Sequence, residues 1–155
     1  MAVTTDDIKA LREKTGVSVM QCKEALEAAG GDMEQAIAEL KKGGAAIAKK
    51  KGGRELGAGG VAAYVHAGDT VGALVELRSE TDFVARNEEF KKLAREIAMQ
   101  IAATDTEIVA KKDTSALLEQ PYIRDADRTV GDLLQDATQK FGERIEISRF
   151  EKYDT

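Results

Sequence analysis

Glu76-Leu77-Arg78-Ser79-Glu80-Thr81-Asp82-Phe83-Val84-Ala85-Arg86-Asn87-Glu88-Glu89-Phe90 is the stretch where one hydrophobic period gives way to another. Upstream, Val71, Ala73, Val75 and Leu77 alternate with Gly72, Leu74, Glu76 and Arg78, the period of a strand. Downstream, Phe90, Leu93, Ala94, Ile97 and Ile101 fall on one stripe of a helix that Asn87 is placed to cap. Between the two, Phe83 and Val84 are apolar among Glu80, Asp82, Arg86 and Asn87, outside the stripe that would most easily bury them. An aromatic side chain on such a corner is either tucked into its own core or presented to a partner.

Working outward, Val61, Ala63 and Val65 alternate with Ala62, Tyr64 and His66, and Ala67-Gly68-Asp69 supplies a turn back into the strand above. Residues 104–128 are less regular, with the only proline, Pro121, and its neighbours Tyr122 and Ile123 forming an extended crossing. A last helix is predicted from a Thr129 cap through Val130, Leu133, Leu134, Ala137 and Phe141, with Gly142 as its stop. Ile145 and Ile147 alternate with charged residues in a closing strand that ends at Phe150 and Tyr153. This order predicts an α+β fold, with a three-stranded antiparallel sheet and helices on one face, over residues 60–155.

The first 42 residues predict three short helices. Ile8 and Leu11 mark the first, which stops near Gly16. The second opens with Ser18 and Gln21 at capping-box spacing and carries a Val19, Cys22, Leu26 and Ala29 stripe. The third opens with Asp32 and Gln35 and carries Met33, Ala36, Ile37 and Leu40. A bundle this small suits a ubiquitin-associated-like module and is marginal in isolation. From Gly43 to Gly60 the chain holds seven glycines and four basic residues in 18, so 43–59 is expected to be a Gly/Lys-rich linker. Its left end, 45–51, is able to extend the third helix.

The 155 residues, 43% hydrophobic and 33% charged, suffice for a core. No run approaches the ~20 apolar residues of a membrane helix. The start, Met-Ala-Val-Thr-Thr-Asp-Asp, resembles neither a signal nor a transit peptide, so a cytoplasmic location is expected. Cys22 stands alone, which excludes an internal disulfide and a zinc site built on cysteine. The lone His66, the absence of a Ser/His/Asp set or P-loop, and a glycine run that precedes a strand rather than a helix leave no catalytic, metal or cofactor site. A net charge of −5 argues against nucleic-acid binding by a generally basic surface. Lys41, Lys42, Lys49, Lys50, Lys51 and Arg54 are a solvated linker or a local basic patch.

Two segments match a known family. Leu11-Arg12-Glu13-Lys14-Thr15-Gly16-Val17-Ser18-Val19-Met20-Gln21-Cys22-Lys23-Glu24-Ala25-Leu26 resembles the N-terminal motif of the elongation factor Ts family, and residues 76–87 resemble its second motif. The ending from Gly142-Glu143-Arg144-Ile145 to Arg149-Phe150 looks like its closing strand. The likeness covers residues 5–103 and 117–153. Arg78 and Arg144 stand where the family usually has Asn, and Gln21 where an acidic residue is common.

The resemblance implies a non-enzymatic guanine-nucleotide exchange factor for elongation factor Tu. It places Asp82 and Phe83, flanked by Thr81 and Val84, against the partner's nucleotide domain near the magnesium site. It also places Met20 and Lys23 of the N-terminal module on that domain. Helical spacing independently sets Met20 with Lys23, Glu24 and Glu27, away from the apolar stripe. The family's long forms have two related core halves and this chain has room for one, so a homodimer is expected to rebuild the pair. The family's segment between the second motif and the last helix is shortened here to about residues 104–120. Two rival classes remain on the residues alone: an adaptor using the N-terminal bundle, and a small RNA-binding protein using residues 41–54.

Overall fold

The computed structural model describes residues 2–51 and 53–155, with side chains for all of these except 47–51. Lys49, Lys50 and Lys51 of the basic cluster therefore lie outside the described side chains. The chain forms two compact units, residues 1–52 with 135–142, and residues 53–134 with 143–155.

The first unit starts with helices α1 (Thr5–Thr15), α2 (Val19–Ala28) and α3 (Met33–Lys51). Thr4 and Asp7 cap α1 reciprocally, each side chain taking the other's backbone N–H. At α2 the pairing is only half a box: Ser18 accepts from the Gln21 N–H, while its hydroxyl donates to the Gln21 side chain at 3.1 Å. Asp32 caps α3 by accepting from the Gln35 N–H at 2.9 Å. Leu11, Val17, Cys22, Ala25, Leu26, Ala36 and Leu40 make the core. Val19, expected in that stripe, is instead 53% exposed. Side chains on a helix tilt toward its N-terminus, so the first helical residue overhangs the end, and Val17 on the entering strand of chain is the one buried.

The expected linker begins later than its glycines suggest. Helix α3 runs through Gly43-Gly44 to Lys51. A Cβ on Gly44 would sit 3.1 Å from Gln139 Oε1 and 3.3 Å from the Gln135 carbonyl, so this glycine permits close helix packing. Those glutamines belong to the second half of the last helix, α8 (Val130–Phe141), which groups with the first unit.

In the second unit, β1 (Ala58–Val65), β2 (Val71–Ser79) and β5 (Glu146–Asp154) form an antiparallel sheet in the order β1-β2-β5. The α+β class and the three-stranded antiparallel sheet follow expectation. The β1–β2 turn runs His66 to Asp69, closed by the Asp69 N–H donating to His66 O at 3.0 Å. Gly68 at φ +94° makes that geometry available. Ala62 pairs with Val75 and Val75 with Phe150, and a register shift follows Glu76 on the β5 side. Helix α5 (Glu88–Ala103) packs on all three strands. Phe90, Ala94, Ile97 and Ile101 are buried with Ala73, Val75, Leu77, Ile147 and Phe150. The other face leaves Val61, Val65 and Leu74 exposed. On it, the Ser148 hydroxyl donates to Glu76 Oε1 and Arg149 lies 3.4 Å from Oε2. Chiefly through the serine bond, the Glu76 carboxyl is held below its ordinary value of 4.5.

The irregular middle resolves into α6 (Thr106–Ala110), α7 (Thr114–Leu118) and a second, two-stranded sheet of β3 (Pro121–Tyr122) and β4 (Asp125–Thr129). The extended crossing at Pro121 is thus one arm of a hairpin. Gln100, buried on α5, fixes it by donating to the Pro121 carbonyl at 3.1 Å and accepting from the Ile123 N–H at 2.8 Å. Thr129 caps α8 as expected, in a reciprocal box with Asp132.

Candidate protein-interaction site

Strand β2 ends at Ser79, and a single helical turn, α4 (Asp82–Ala85), separates it from α5. Thr81 caps that turn: its side-chain oxygen accepts from the Val84 N–H at 3.4 Å, and its carbonyl accepts from Ala85 N–H at 3.2 Å. The fully buried Ser79 adds a hydroxyl bond to the same carbonyl at 3.0 Å. Asn87 then caps α5 by accepting from the Glu89 N–H at 2.8 Å. Capped at both ends, the corner is a fixed piece of backbone rather than a loop.

A one-turn helix with one side on the sheet must point its remaining side chains outward. Val84 and Ala85 face inward, packed where α4 meets β1 and β2. Phe83 faces the solvent with 86% of its surface exposed. Asp82 is also outside, 3.8 Å from Arg86 in an exposed pair one turn apart. The corner thus brings together an aromatic ring and a carboxylate, Phe83 and Asp82, with Thr81 beneath them. Val84 departs from the expectation: it is 5% exposed, so it anchors the turn and offers no surface to a partner.

In the first unit, Met20 is 70% exposed in the first turn of α2, next to exposed Val19. Lys23 is on the surface, 3.7 Å from Glu27. The expected exposure of Met20 is thus observed, whereas the exposure of Val19 beside it was not expected. Also missed was Glu143, 62 residues from Thr81, which takes the Thr81 N–H at 2.9 Å and its hydroxyl proton at 2.7 Å. No local pattern could have found that pair.

Among the described residues, no group of His, Cys, Asp and Glu is arranged to hold a metal ion. Tyr64 and His66 share a 2.9 Å hydrogen bond at the surface. No described helix is long and apolar enough to cross a membrane. What the geometry offers is contact chemistry, an aromatic and a carboxylate on one corner and an apolar patch with a lysine on α2.

The family model described as "Elongation factor TS" matches residues 80–155. A protein named "Elongation factor Ts" from Moorella thermoacetica is 38% identical, with 98% of this chain and 95% of that protein covered. Its namesake from Leptospira biflexa is 41% identical, covering 99% and 98%. The one from Carboxydothermus hydrogenoformans is 41% identical, covering 98% and 88%. The Moorella alignment extends over 192 positions, more than the 155 residues here, so that relative has positions with no counterpart in this chain.

Proposed function

Since this chain belongs to the elongation factor Ts family, and is thereby a translation elongation factor, we propose that it is a guanine-nucleotide exchange factor for elongation factor Tu. It binds the GDP-loaded GTPase in the cytoplasm and promotes GDP release without performing a chemical step. The single observation that carries this reading is Phe83, held out in solvent on a capped corner beside Asp82.

Exchange requires tighter binding to the empty or distorted GTPase than to the nucleotide-bound one, because equal affinity for two states shifts neither. Placing the Phe83 ring in a pocket open only in the distorted partner would contribute ~2–3 kcal/mol. At about 1.4 kcal/mol per tenfold, that is a shift of about 30- to 150-fold. Asp82 acts beside it, on the groups that organise the partner's magnesium ion or on the phosphates. Thr81 and Val84 hold the turn, Thr81 as its cap and Val84 as its inward anchor. The N-terminal helices act as a ubiquitin-associated-like docking module, with Met20 and Lys23 as contacts on the same partner.

Linkage supplies the test. Whatever factor this chain weakens nucleotide binding by, nucleotide must weaken the binding of this chain equally. Titration calorimetry against nucleotide-free and GDP-loaded elongation factor Tu should give at least tenfold tighter binding to the empty form. Equal affinities would refute exchange.

A second copy of this chain is the other partner we propose, on the open sheet face where Val61, Val65 and Leu74 are exposed beside a cavity of about 510 Å³. Light scattering after size exclusion reads it directly, and a monomer at tens of micromolar contradicts it.

A further inference from the structure

The segment after α8 reaches back to the exchange corner. Thr81 has one hydroxyl proton and one backbone N–H, and Glu143 takes both, at Oε2 (2.7 Å) and Oε1 (2.9 Å). In return the Glu80 carboxylate accepts the Arg144 backbone N–H at 3.1 Å. Two adjacent pairs, Glu80-Thr81 and Glu143-Arg144, are thereby crossed, each sending a glutamate to the other. Arg54 lies 3.4 Å from the other Glu80 oxygen, and the Arg144 guanidinium donates to the Arg54 carbonyl and to Glu146.

The chemistry of Thr81 makes this consequential. A hydroxyl has one donor and two acceptor sites. With its proton committed to Glu143, the oxygen is oriented to keep accepting from Val84 N–H, the bond that caps α4. The Thr81 N–H precedes the helix and lies beyond the end of β2, so no ladder or helical bond takes it. Bonds to a carboxylate are stronger than neutral ones. Glu143 thus controls the rotamer of the cap and the direction in which the next two residues, Asp82 and Phe83, leave the sheet.

We propose that Glu143 is a positioning residue for exchange, which fixes the Thr81 cap so that Phe83 and Asp82 are presented in one orientation. The inference rests on the exchange reading above. Glu143 need not touch the partner to do this. Glu143 is not itself among the buried residues, so removing its carboxylate leaves the sheet and α5 core intact but lets the corner sample other orientations.

Two readouts test it. In Glu143→Ala, amide hydrogen exchange at Thr81 and Val84 should speed up about tenfold, with the buried turns of α5 unchanged. GDP release from elongation factor Tu should slow about tenfold in the same variant, and less in Glu143→Gln, which keeps one acceptor oxygen. In an Asp82→Ala, Phe83→Ala background, adding Glu143→Ala should change release by less than about twofold, because both residues it positions are then gone. Unchanged Thr81 and Val84 amides, or an undiminished tenfold effect in that background, would overturn the proposal. Failure of the exchange reading looks different: Phe83→Ala alone would then release GDP as fast as the unmodified chain, removing the positioning role with it.

Discussion

Phe83 stands in solvent while Val84, its neighbour in the chain, is buried against the sheet. The pair works as a unit: the valine holds the turn down so that the phenylalanine is held out. An exposed aromatic of this size keeps apolar surface in water that only a partner can remove. A partner-binding role is consistent with that arrangement, and a packing role for Phe83 is not.

The first consequence concerns stability. Phe83→Ala should change the unfolding free energy by no more than ~0.5 kcal/mol, as for surface substitutions generally. Phe90→Ala, at a fully buried ring on the apolar stripe of α5, should cost ~3–5 kcal/mol. Urea denaturation of both variants checks the contrast. Comparable losses would mean that Phe83 is part of the core.

A second consequence concerns α2. Met20→Asp places a charge where an exposed apolar contact is proposed, and should weaken binding to elongation factor Tu about tenfold while the melting curve stays in place. Val19→Asp, on the neighbouring exposed position, should weaken it in the same direction. Surface plasmon resonance with immobilised elongation factor Tu measures both. Unaltered affinity in the two variants would remove α2 from the interface.

Packing in the first unit gives a third. Gly44→Leu pushes a side chain into the Gln135 backbone and Gln139, so it should destabilise the protein by ~1–3 kcal/mol. Gly53→Leu, where a Cβ meets nothing within 4 Å, should not. Thermal unfolding distinguishes the two sites.

The fourth is a pH dependence. Because the folded-state pKa of Glu76 is lowered, its contribution is present above the ordinary value of 4.5 and is lost as pH falls through that value toward the folded one. Glu76→Gln should therefore be less stable than the unmodified chain near neutral pH, with the gap closing as pH falls below 4.5. Denaturation midpoints across that range provide the measurement. A gap that stays constant would mean that Ser148 and Arg149 do not act on the charge.

Much of this was legible in the sequence because long periodic segments declare themselves. The alternation through Val75 and Leu77 and the stripe from Phe90 to Ile101 each appear where expected. Short elements did not declare themselves: β3 has two residues and α6 and α7 five each, too few for a period to register. Gly43-Gly44 resembled a linker because a glycine required by a neighbouring helix and one required by flexibility are identical in sequence. The exposure of Val19 depends on where the helix starts, and the Glu143–Thr81 bonds depend on tertiary folding alone.

The most direct measurement is release of fluorescent GDP from elongation factor Tu, followed with no addition, with this chain, and with Phe83→Ala. The account predicts rapid release with the unmodified chain and a rate about 30- to 150-fold lower with Phe83→Ala. Release by the unmodified chain no faster than the spontaneous rate, or by Phe83→Ala as fast as by the unmodified chain, would contradict it.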